Sequence, residues 1–251
     1  MKIIYIAGYG RSGSTILDVC LNQHDSVVGL GELSNLFRDW GDVPSDGIWG
    51  EVASRLMACP YEIQDAVNAT RKLQAFPRFM VSRRDREIYE TCWKAVYDVL
   101  GAQNEFIVDS SKTTRITLLS PLRLREIGFD VKVVWLKRSL KGVLLSLLKG
   151  SNRELEDSGK RVTWCDRLLN FARGCFGAIC TAVLTFCAYG RESEVLRYDD
   201  FRSDPESSLN DLMLRIDIPN VVYEKGMFDD MDPGIGISGN RARRVERIRL
   251  V

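Results

Sequence analysis

The stretch KIIYIAGYGRSGSTILDVCLNQ, residues 2–23, decides the fold. It opens with a continuous apolar run, KIIYIA, which is typical of a strand covered on both faces. Gly8, Gly10 and Gly13 follow, and the rest of the stretch has helical spacing. A strand, a glycine-rich turn and a helix in this order predict an anion-binding loop, because the backbone N–H groups and the helix N-terminus both attract negative charge.

The turn differs from the loop of nucleoside-triphosphate enzymes, G-x-x-x-x-G-K-[ST]. Gly8 and Gly13 have the spacing of that loop, but Ser14 stands where the loop has its lysine. Thr15 keeps the hydroxyl that follows, and the basic residue is Arg11, inside the turn. We therefore expect a phosphate cradle that does not hold a magnesium-bridged triphosphate. A glycine-rich turn that binds no ligand is the alternative.

The composition argues against several classes of protein. The chain has 251 residues, 45% of them hydrophobic, which is enough for one well-filled core. A formal net charge of +1 gives no sign of a nucleic-acid or membrane-surface binder. The 7 cysteines include no C-x-x-C pair, which favours reduced thiols in a cytoplasmic protein over a disulfide or zinc framework. Residues 174–190 are apolar and lie at the lower length limit for a membrane span, and we expect a buried core helix there instead.

The remaining chain alternates between strand and helix patterns. Buried-strand patterns recur at residues 105–111, 130–138 and 193–201. Helical patterns recur at residues 84–101, 113–128 (with an interruption at Pro121), 140–150 and 205–216. Glycines and prolines predict a loop or lid at residues 41–60. The alternation predicts an α/β fold of three layers, with a mostly parallel central sheet flanked by helices and with ligands at the carboxyl ends of the strands.

The segment GYGRSGST, residues 8–15, resembles the 5′-phosphosulfate loop of the sulfotransferases that use 3′-phosphoadenosine-5′-phosphosulfate (PAPS). In that family a lysine or arginine and then Ser-Gly-Thr or Ser-Gly-Ser follow the first strand. The resemblance implies that the loop wraps the 5′-phosphate and that Arg11 also faces the sulfuryl group. The residues it assigns to this part of the cofactor site are Gly10, Arg11, Ser12, Gly13, Ser14 and Thr15.

Three further segments resemble the rest of the family's cofactor site. In WLKRSLKGVLLSLLKG, residues 135–150, Arg138 and Ser146 match the arrangement that holds the 3′-phosphate. In LRYDDFRSDPESSL, residues 196–209, the resemblance places Tyr198 near the adenine or its phosphate, with strand packing as an equal alternative. In GISGNRARR, residues 236–244, a glycine-rich basic segment returns to the 3′-phosphate and contributes Gly239, Asn240 and Arg241.

The resemblance also implies the residues that carry the chemistry. Glu32, in VVGLGELSNL (27–36), follows a short strand and matches the general base of the glutamate type, as in tyrosylprotein sulfotransferases and related bacterial enzymes. Lys112, in VDSSKTTR (108–115), matches the lysine that contacts the sulfuryl oxygens. The alternatives are a glutamate in the first turn of a helix and an exposed loop lysine, for which Asp109 is a possible ion-pair partner. The single histidine, His24, is expected at a helix end and not as the base.

The function implied by the resemblance is transfer of a sulfuryl group from PAPS to a hydroxyl or amine of a small-molecule acceptor. PAP is the other product, Glu32 and Lys112 act with Arg11, and no metal is expected. The chain is then a single sulfotransferase domain, 1–251, with a mostly helical acceptor-side insertion around 33–100. No nucleic-acid or membrane partner is expected, and the oligomeric state stays open, a homodimer included. The alternatives are an NTP-dependent P-loop kinase-like enzyme and a non-catalytic nucleotide-binding module.

Overall fold

The fold centres on one parallel sheet. The computed structural model describes residues 2–43, 45–71, 80–113, 117–139, 141–143, 145 and 164–236, and of residues 42, 71, 103 and 164–170 it describes the backbone only. Five strands lie in the order β2-β3-β1-β4-β5, and every neighbouring pair is parallel. They are β1 (Lys2–Ala7), β2 (Val27–Gly29), β3 (Phe106–Asp109), β4 (Asp130–Lys137) and β5 (Ser193–Arg197). All five carboxyl ends therefore meet at one edge of the sheet, where ligands bind in this architecture.

Helices connect the strands and cover the sheet. They are α1 (Ser14–Leu21), α2 (Gly47–Met57), α3 (Ile63–Arg71), α4 (Arg83–Gln103), α5 (Ser120–Glu126), α6 (Trp164–Tyr189), α7 (Tyr198–Ser203) and α8 (Pro205–Arg215). Short 3-10 helices span Leu33–Asn35, Trp40–Asp42 and Lys225–Phe228. The helices α2, α3 and α4 all lie between β2 and β3 in the chain, and they pack on one side of the sheet together with residues of α5 and α6.

Two apolar clusters explain why the first strand is hydrophobic at every position from Ile3 to Ala7. Ile3 and Tyr5 point to the cluster that contains α2, α3 and α4, while Ile4 and Ile6 point to the cluster that contains α1 and α8. All four side chains are fully buried. Burying one large apolar side chain stabilises a fold by about 1.5–3 kcal/mol, so a charge on either face of this strand would be costly. The predicted α/β architecture with a parallel central sheet is confirmed.

Two of the sequence-based element assignments need correction. Residues 41–60, expected as a loop or lid, contain the helix α2, whose Trp49 and Val52 are buried in the core. Pro121 does not interrupt a helix but stands in the first turn of α5, where its missing N–H has no helical partner to lose. Glycine and proline mark helix starts as well as loops, and here Gly47 begins α2 and Pro121 lies in the first turn of α5.

The helix α6 departs further from expectation. The prediction of a buried core helix is wrong, because its large apolar side chains face outward: Phe176, Val183 and Phe186 are 71%, 56% and 63% exposed. The inward face carries small or polar residues, among them Ala178, Thr181 and Thr185. Phe171–Tyr189 is apolar and long enough to cross a membrane by length and composition alone, with 22% of its most apolar window buried.

Candidate active site

The loop between β1 and α1 is a backbone-lined turn. Gly8, Arg11 and Gly13 have φ values of 135°, 71° and 101° in the left-handed region, so the chain reverses tightly before the helix begins. The N–H of Gly8 donates to the hydroxyl of Thr113 at 3.0 Å, and the N–H of Thr113 donates to the carbonyl of Gly8 at 3.2 Å. These two bonds fix the loop to the segment that follows β3, so the two regions form one surface.

The helix α6 lies against the same loop. Gly177 is close to Tyr9, since a Cβ at position 177 would lie 3.1 Å from the Tyr9 ring. The hydroxyls of Thr185 and Thr113 are 2.5 Å apart and buried. The small and hydroxylated side chains on the inward face of α6 therefore allow the helix to pack closely against the loop. Larger side chains there would displace Tyr9 or Thr113.

Tyr198 and Arg138 cover the other side of the loop. A Cβ at Gly13 would lie only 2.2 Å from the Tyr198 ring, so a glycine is required there by this contact as well as by its φ. The Arg138 guanidinium lies 4.4 Å from the Tyr198 ring centroid, and its Nη1 donates to the carbonyl of Arg11 at 2.9 Å. The structure thus brings Arg138, Tyr198 and the loop together, and Tyr198 stands at the start of α7 and not inside a strand.

Two polar atoms in this cluster are buried without a hydrogen bond among the described residues. They are Oγ of Ser12, in a residue that is 3% exposed, and Nε of Arg138. A buried polar group without a hydrogen-bond partner costs about 1–3 kcal/mol. Such atoms are therefore unusual unless a ligand forms the missing hydrogen bond. Gly10 has open space in front of it as far as the described residues go, since a Cβ there would meet none of them within 4 Å. The loop therefore fits an anion held by backbone N–H groups, a hydroxyl and a guanidinium.

Glu32 and Lys112 meet at the ends of β2 and β3. Lys112 Nζ donates to Oε1 of Glu32, and Asn35 Nδ2 donates to Oε2 at 3.0 Å. The side chains of Lys112 and Glu32 are 14% and 24% exposed, so the pair lies in a recess but can be reached from solvent. Glu32 immediately precedes the 3-10 helix Leu33–Asn35. The two residues are 80 positions apart in sequence, and the parallel pairing of β2 with β3 brings them together.

Lys112 is held in an uncommon conformation. Its φ is 66°, a left-handed value that is uncommon for residues other than glycine, asparagine and aspartate. Its carbonyl accepts hydrogen bonds from the hydroxyls of Tyr5, at 2.7 Å, and Thr117, at 2.9 Å. Backbone strain of this kind is concentrated at functional sites and persists where neighbouring groups enforce it.

Asp109 is a buried carboxyl group at the end of β3. The possible Asp109–Lys112 ion pair is not formed, since Lys112 pairs with Glu32 and the Asp109 carboxylate accepts the N–H of Ser111 at 2.9 Å. Burial raises the pKa of Asp109 to about 7, although the hydrogen bonds from Ser111 lower it. The Asp-x-Ser spacing is a local turn signal that identifies this contact.

Four predicted site residues lie outside the described residues: Ser146, Gly239, Asn240 and Arg241. Ser14 and Thr15 are buried at the start of α1. His24 lies past the other end of α1, where its Nδ1 accepts the N–H of Ser26 at 3.2 Å. No group of three or more His, Cys, Asp or Glu side chains with metal-binding geometry occurs in the part of the chain that the structure describes.

No protein-family model matches the chain, and no curated protein matches it either. Several solved structures are similar. The sulfotransferase domain of the Synechococcus PCC 7002 olefin synthase is 20% identical over 98% of this chain and 80% of that chain, with a TM-score of 0.47. A sulfotransferase from Alicyclobacillus acidocaldarius is 16% identical over 90% of this chain and 88% of that chain, with a TM-score of 0.43. The sulfotransferase domain from the curacin biosynthetic pathway is 18% identical over 99% of this chain and 84% of that chain, with a TM-score of 0.54. By this last likeness, the chain has the fold of a sulfotransferase domain.

Proposed function

We propose that the protein transfers a sulfuryl group from PAPS to a hydroxyl or amine of a small-molecule acceptor. The observation that carries the proposal is the Glu32–Lys112 pair beside an anion-binding loop. The Gly8–Thr113 hydrogen bonds link the two parts, since Thr113 directly follows Lys112. An acid–base group next to a phosphate cradle suits the transfer of an anionic group to a protonated nucleophile.

The loop and Arg138 are the proposed site for the donor. Ser12 Oγ and Arg138 Nε are buried polar atoms that would bond to the 5′-phosphate and the 3′-phosphate of the donor, respectively. Gly10 leaves space in front of the loop for a close backbone approach. PAPS would supply the sulfuryl group there and leave as PAP. In the proposal, Arg11 and the loop N–H groups neutralise the charge that grows on the departing phosphate oxygen.

The Glu32 carboxylate is the proposed base. The acceptor oxygen or nitrogen forms its bond to sulfur as the bond from sulfur to the phosphate oxygen breaks, and the acceptor's proton passes to Glu32. Asn35 orients the carboxylate through its 3.0 Å hydrogen bond. Lys112 is a compact positive charge next to the reacting group. Lys112 on Oε1 and Asn35 on Oε2 hold the Glu32 carboxylate in place, and in the proposal the acceptor approaches that fixed carboxylate.

The kinase-like alternative is not favoured, because Ser14 replaces the lysine that such enzymes place on the loop. A non-catalytic nucleotide-binding module is distinguished only by assay. We further propose that the helical connection around 33–100 forms the wall of the acceptor pocket and that residues 1–251 act as a single domain. Cytoplasmic location and a homodimeric state also stay predictions. The outward apolar face of α6 is the feature that bears most directly on contacts with a membrane or a second copy.

A two-part experiment tests the proposed function. Calorimetry with PAP should give micromolar or tighter binding without added magnesium, and ATP with magnesium should bind much more weakly. Transfer of radiolabelled sulfate from PAPS to a panel of phenols, alcohols and amines should then give a labelled product. Binding of PAP without transfer to any acceptor would support the non-catalytic module, whereas magnesium-dependent ATP binding with PAP ignored would support the kinase-like enzyme.

A further inference from the structure

Asp109 is buried behind the Glu32–Lys112 pair, at the end of β3. Its Oδ1 accepts both the N–H of Ser111, at 2.9 Å, and the hydroxyl of Ser111. The Leu33 backbone also lowers the pKa of this carboxylate, so Asp109 lies close to both segments. Ser111 precedes Lys112 in the sequence and Leu33 follows Glu32, so these are the two chain segments that present the pair.

Ser111 adds a second connection between the same segments. Its Oγ accepts the N–H of Ser34 at 2.8 Å while its hydroxyl proton is donated to Asp109. A hydroxyl that donates to one segment and accepts from another is fully committed in direction. A backbone bond, from the N–H of Ser110 to the carbonyl of Gly31 at 2.8 Å, completes the contact. We call Asp109 and Ser111 together the buried bracket.

We propose that the buried bracket is a positioning device that keeps Glu32 and Lys112 in contact at the edge of the sheet. The inference rests on the proposed function, which gives the pair its chemical use. Asp109 acts through Ser111, so it is a positioning residue and not a catalytic one. The geometry that the bracket enforces can nevertheless be measured without any assay of activity.

The charge of Asp109 gives independent support. Burial raises its pKa to about 7 from 3.8, with a further increase from Asp18 on α1. The other titratable groups that interact with it are Tyr5 on β1 and Tyr89 and Tyr97 on α4. The folded protein therefore binds the Asp109 proton more tightly than the unfolded chain does. As a result, the contribution of this group to the free energy of unfolding falls as the pH rises from about 4 to about 7. The hydrogen bonds from Ser111 offset part of the cost of ionising this buried carboxyl group.

Three variants separate positioning from simple loss of structure. Asp109→Asn removes the charge, and Ser111→Ala removes the hydroxyl that joins Asp109 to Ser34. Ser110→Ala is the matched control, because Ser110 is equally buried and adjacent but its hydroxyl is not part of the bracket. For each variant, a crystal structure gives the Glu32–Lys112 separation, and steady-state kinetics give kcat and the KM for PAPS.

The expected result is a loss of turnover without a loss of stability. Asp109→Asn and Ser111→Ala should each lower kcat at least tenfold, with the KM for PAPS within about twofold of wild type and with the Glu32–Lys112 contact broken or disordered. At pH 8 the unfolding midpoint of Asp109→Asn should equal or exceed that of wild type. Wild-type kcat should fall as the pH drops below about 7, where Asp109 becomes protonated, and this fall should be absent in Asp109→Asn. Ser110→Ala should match wild type throughout.

Other outcomes separate this inference from the proposed function. Should wild type transfer no sulfuryl group while the pair still separates in both bracket variants, the function fails and the bracket stands. The bracket is refuted when the pair keeps its contact in both variants, or when kcat stays at the wild-type level. If Asp109→Asn does not fold, Ser111→Ala decides the matter by the same two measurements.

Discussion

Two corners of the same sheet edge differ in how their polar groups are satisfied. At the acid–base corner, Glu32 already receives donors from Lys112 and Asn35. At the anion corner, formed by the loop and Arg138, the Ser12 hydroxyl and the Arg138 Nε are buried without a hydrogen bond among the described residues. The Glu32 carboxylate at the first corner therefore has its hydrogen-bond donors in the free protein. At the second corner, a ligand could supply the hydrogen bonds that the two buried atoms lack among the described residues.

The difference separates binding from turnover. An unsatisfied buried polar group costs about 1–3 kcal/mol, so a ligand at the anion corner gains affinity by completing it. The acid–base corner gains nothing in this way, because the Glu32 carboxylate already has its donors in Lys112 and Asn35. Changes at the anion corner should therefore alter the affinity for PAP, and changes at the acid–base corner should alter the rate of transfer.

The largest expected effect belongs to Glu32→Gln. Removing the proposed base should lower kcat by roughly 10²–10⁴-fold, the usual contribution of general-base catalysis, while the Kd for PAP stays within about twofold. Glu105→Gln is the matched control, since Glu105 is exposed just before β3. Steady-state transfer assays and calorimetry give the two numbers. Turnover at the control level in Glu32→Gln would remove Glu32 from the role of base.

Arg138→Ala should produce the next largest effect, on affinity. Hydrogen bonds to charged groups contribute about 1.5–3 kcal/mol, so the Kd for PAP should rise roughly 10- to 150-fold. Arg138→Lys should recover only part of the loss, because lysine cannot form the planar fork of a guanidinium. Lys137→Ala is the control, with its ammonium over the Trp135 ring. Equal affinity for PAP in Arg138→Ala and Lys137→Ala would place the 3′-phosphate elsewhere.

Much of the fold was predictable because buried parallel strands have continuous apolar sequences. The runs at β1, β3 and β4 are each bounded by polar or glycine residues, so their positions follow from composition. The sequence did not predict which side of α6 faces solvent. Its apolar stripe is evident from sequence, but the contacts of Gly177 with Tyr9 and of Thr185 with Thr113 decide which face turns inward.

The site was predictable only in part. The loop residues, Glu32 and Lys112 were identified from a family motif, but the contact between Glu32 and Lys112 depends on the neighbouring positions of β2 and β3, which no local pattern encodes. The position of Gly13 shows the same limit. A loop glycine suggests close approach of a ligand, yet here the ring of Tyr198, distant in sequence, also requires it.

Gly13→Ala tests that second requirement. The left-handed φ of 101° and the approach of the Tyr198 ring should together destabilise the fold by about 2 kcal/mol in urea unfolding. Adding Tyr198→Ala should return part of the loss, because the clash disappears and the backbone strain stays. Gly10→Ala is the comparison, since its Cβ would meet no described residue within 4 Å, and it should keep stability while weakening PAP binding. Full additivity of the two changes at Gly13 and Tyr198 would show that the ring does not constrain the loop.

The smallest expected effect, Ser12→Ala, tests the contrast between the corners most directly. In the free protein the Ser12 hydroxyl is buried without a partner among the described residues, so its removal should leave the free energy of unfolding unchanged or raise it by about 1 kcal/mol. In the complex the same hydroxyl would donate to phosphate, and its loss should raise the Kd for PAP roughly five- to tenfold, the equivalent of about 1 kcal/mol. Unfolding with and without saturating PAP measures both quantities on one sample. Opposite signs in the two states mean that the anion corner is built for a ligand, and a loss of stability in the free protein means that the hydroxyl has a protein partner.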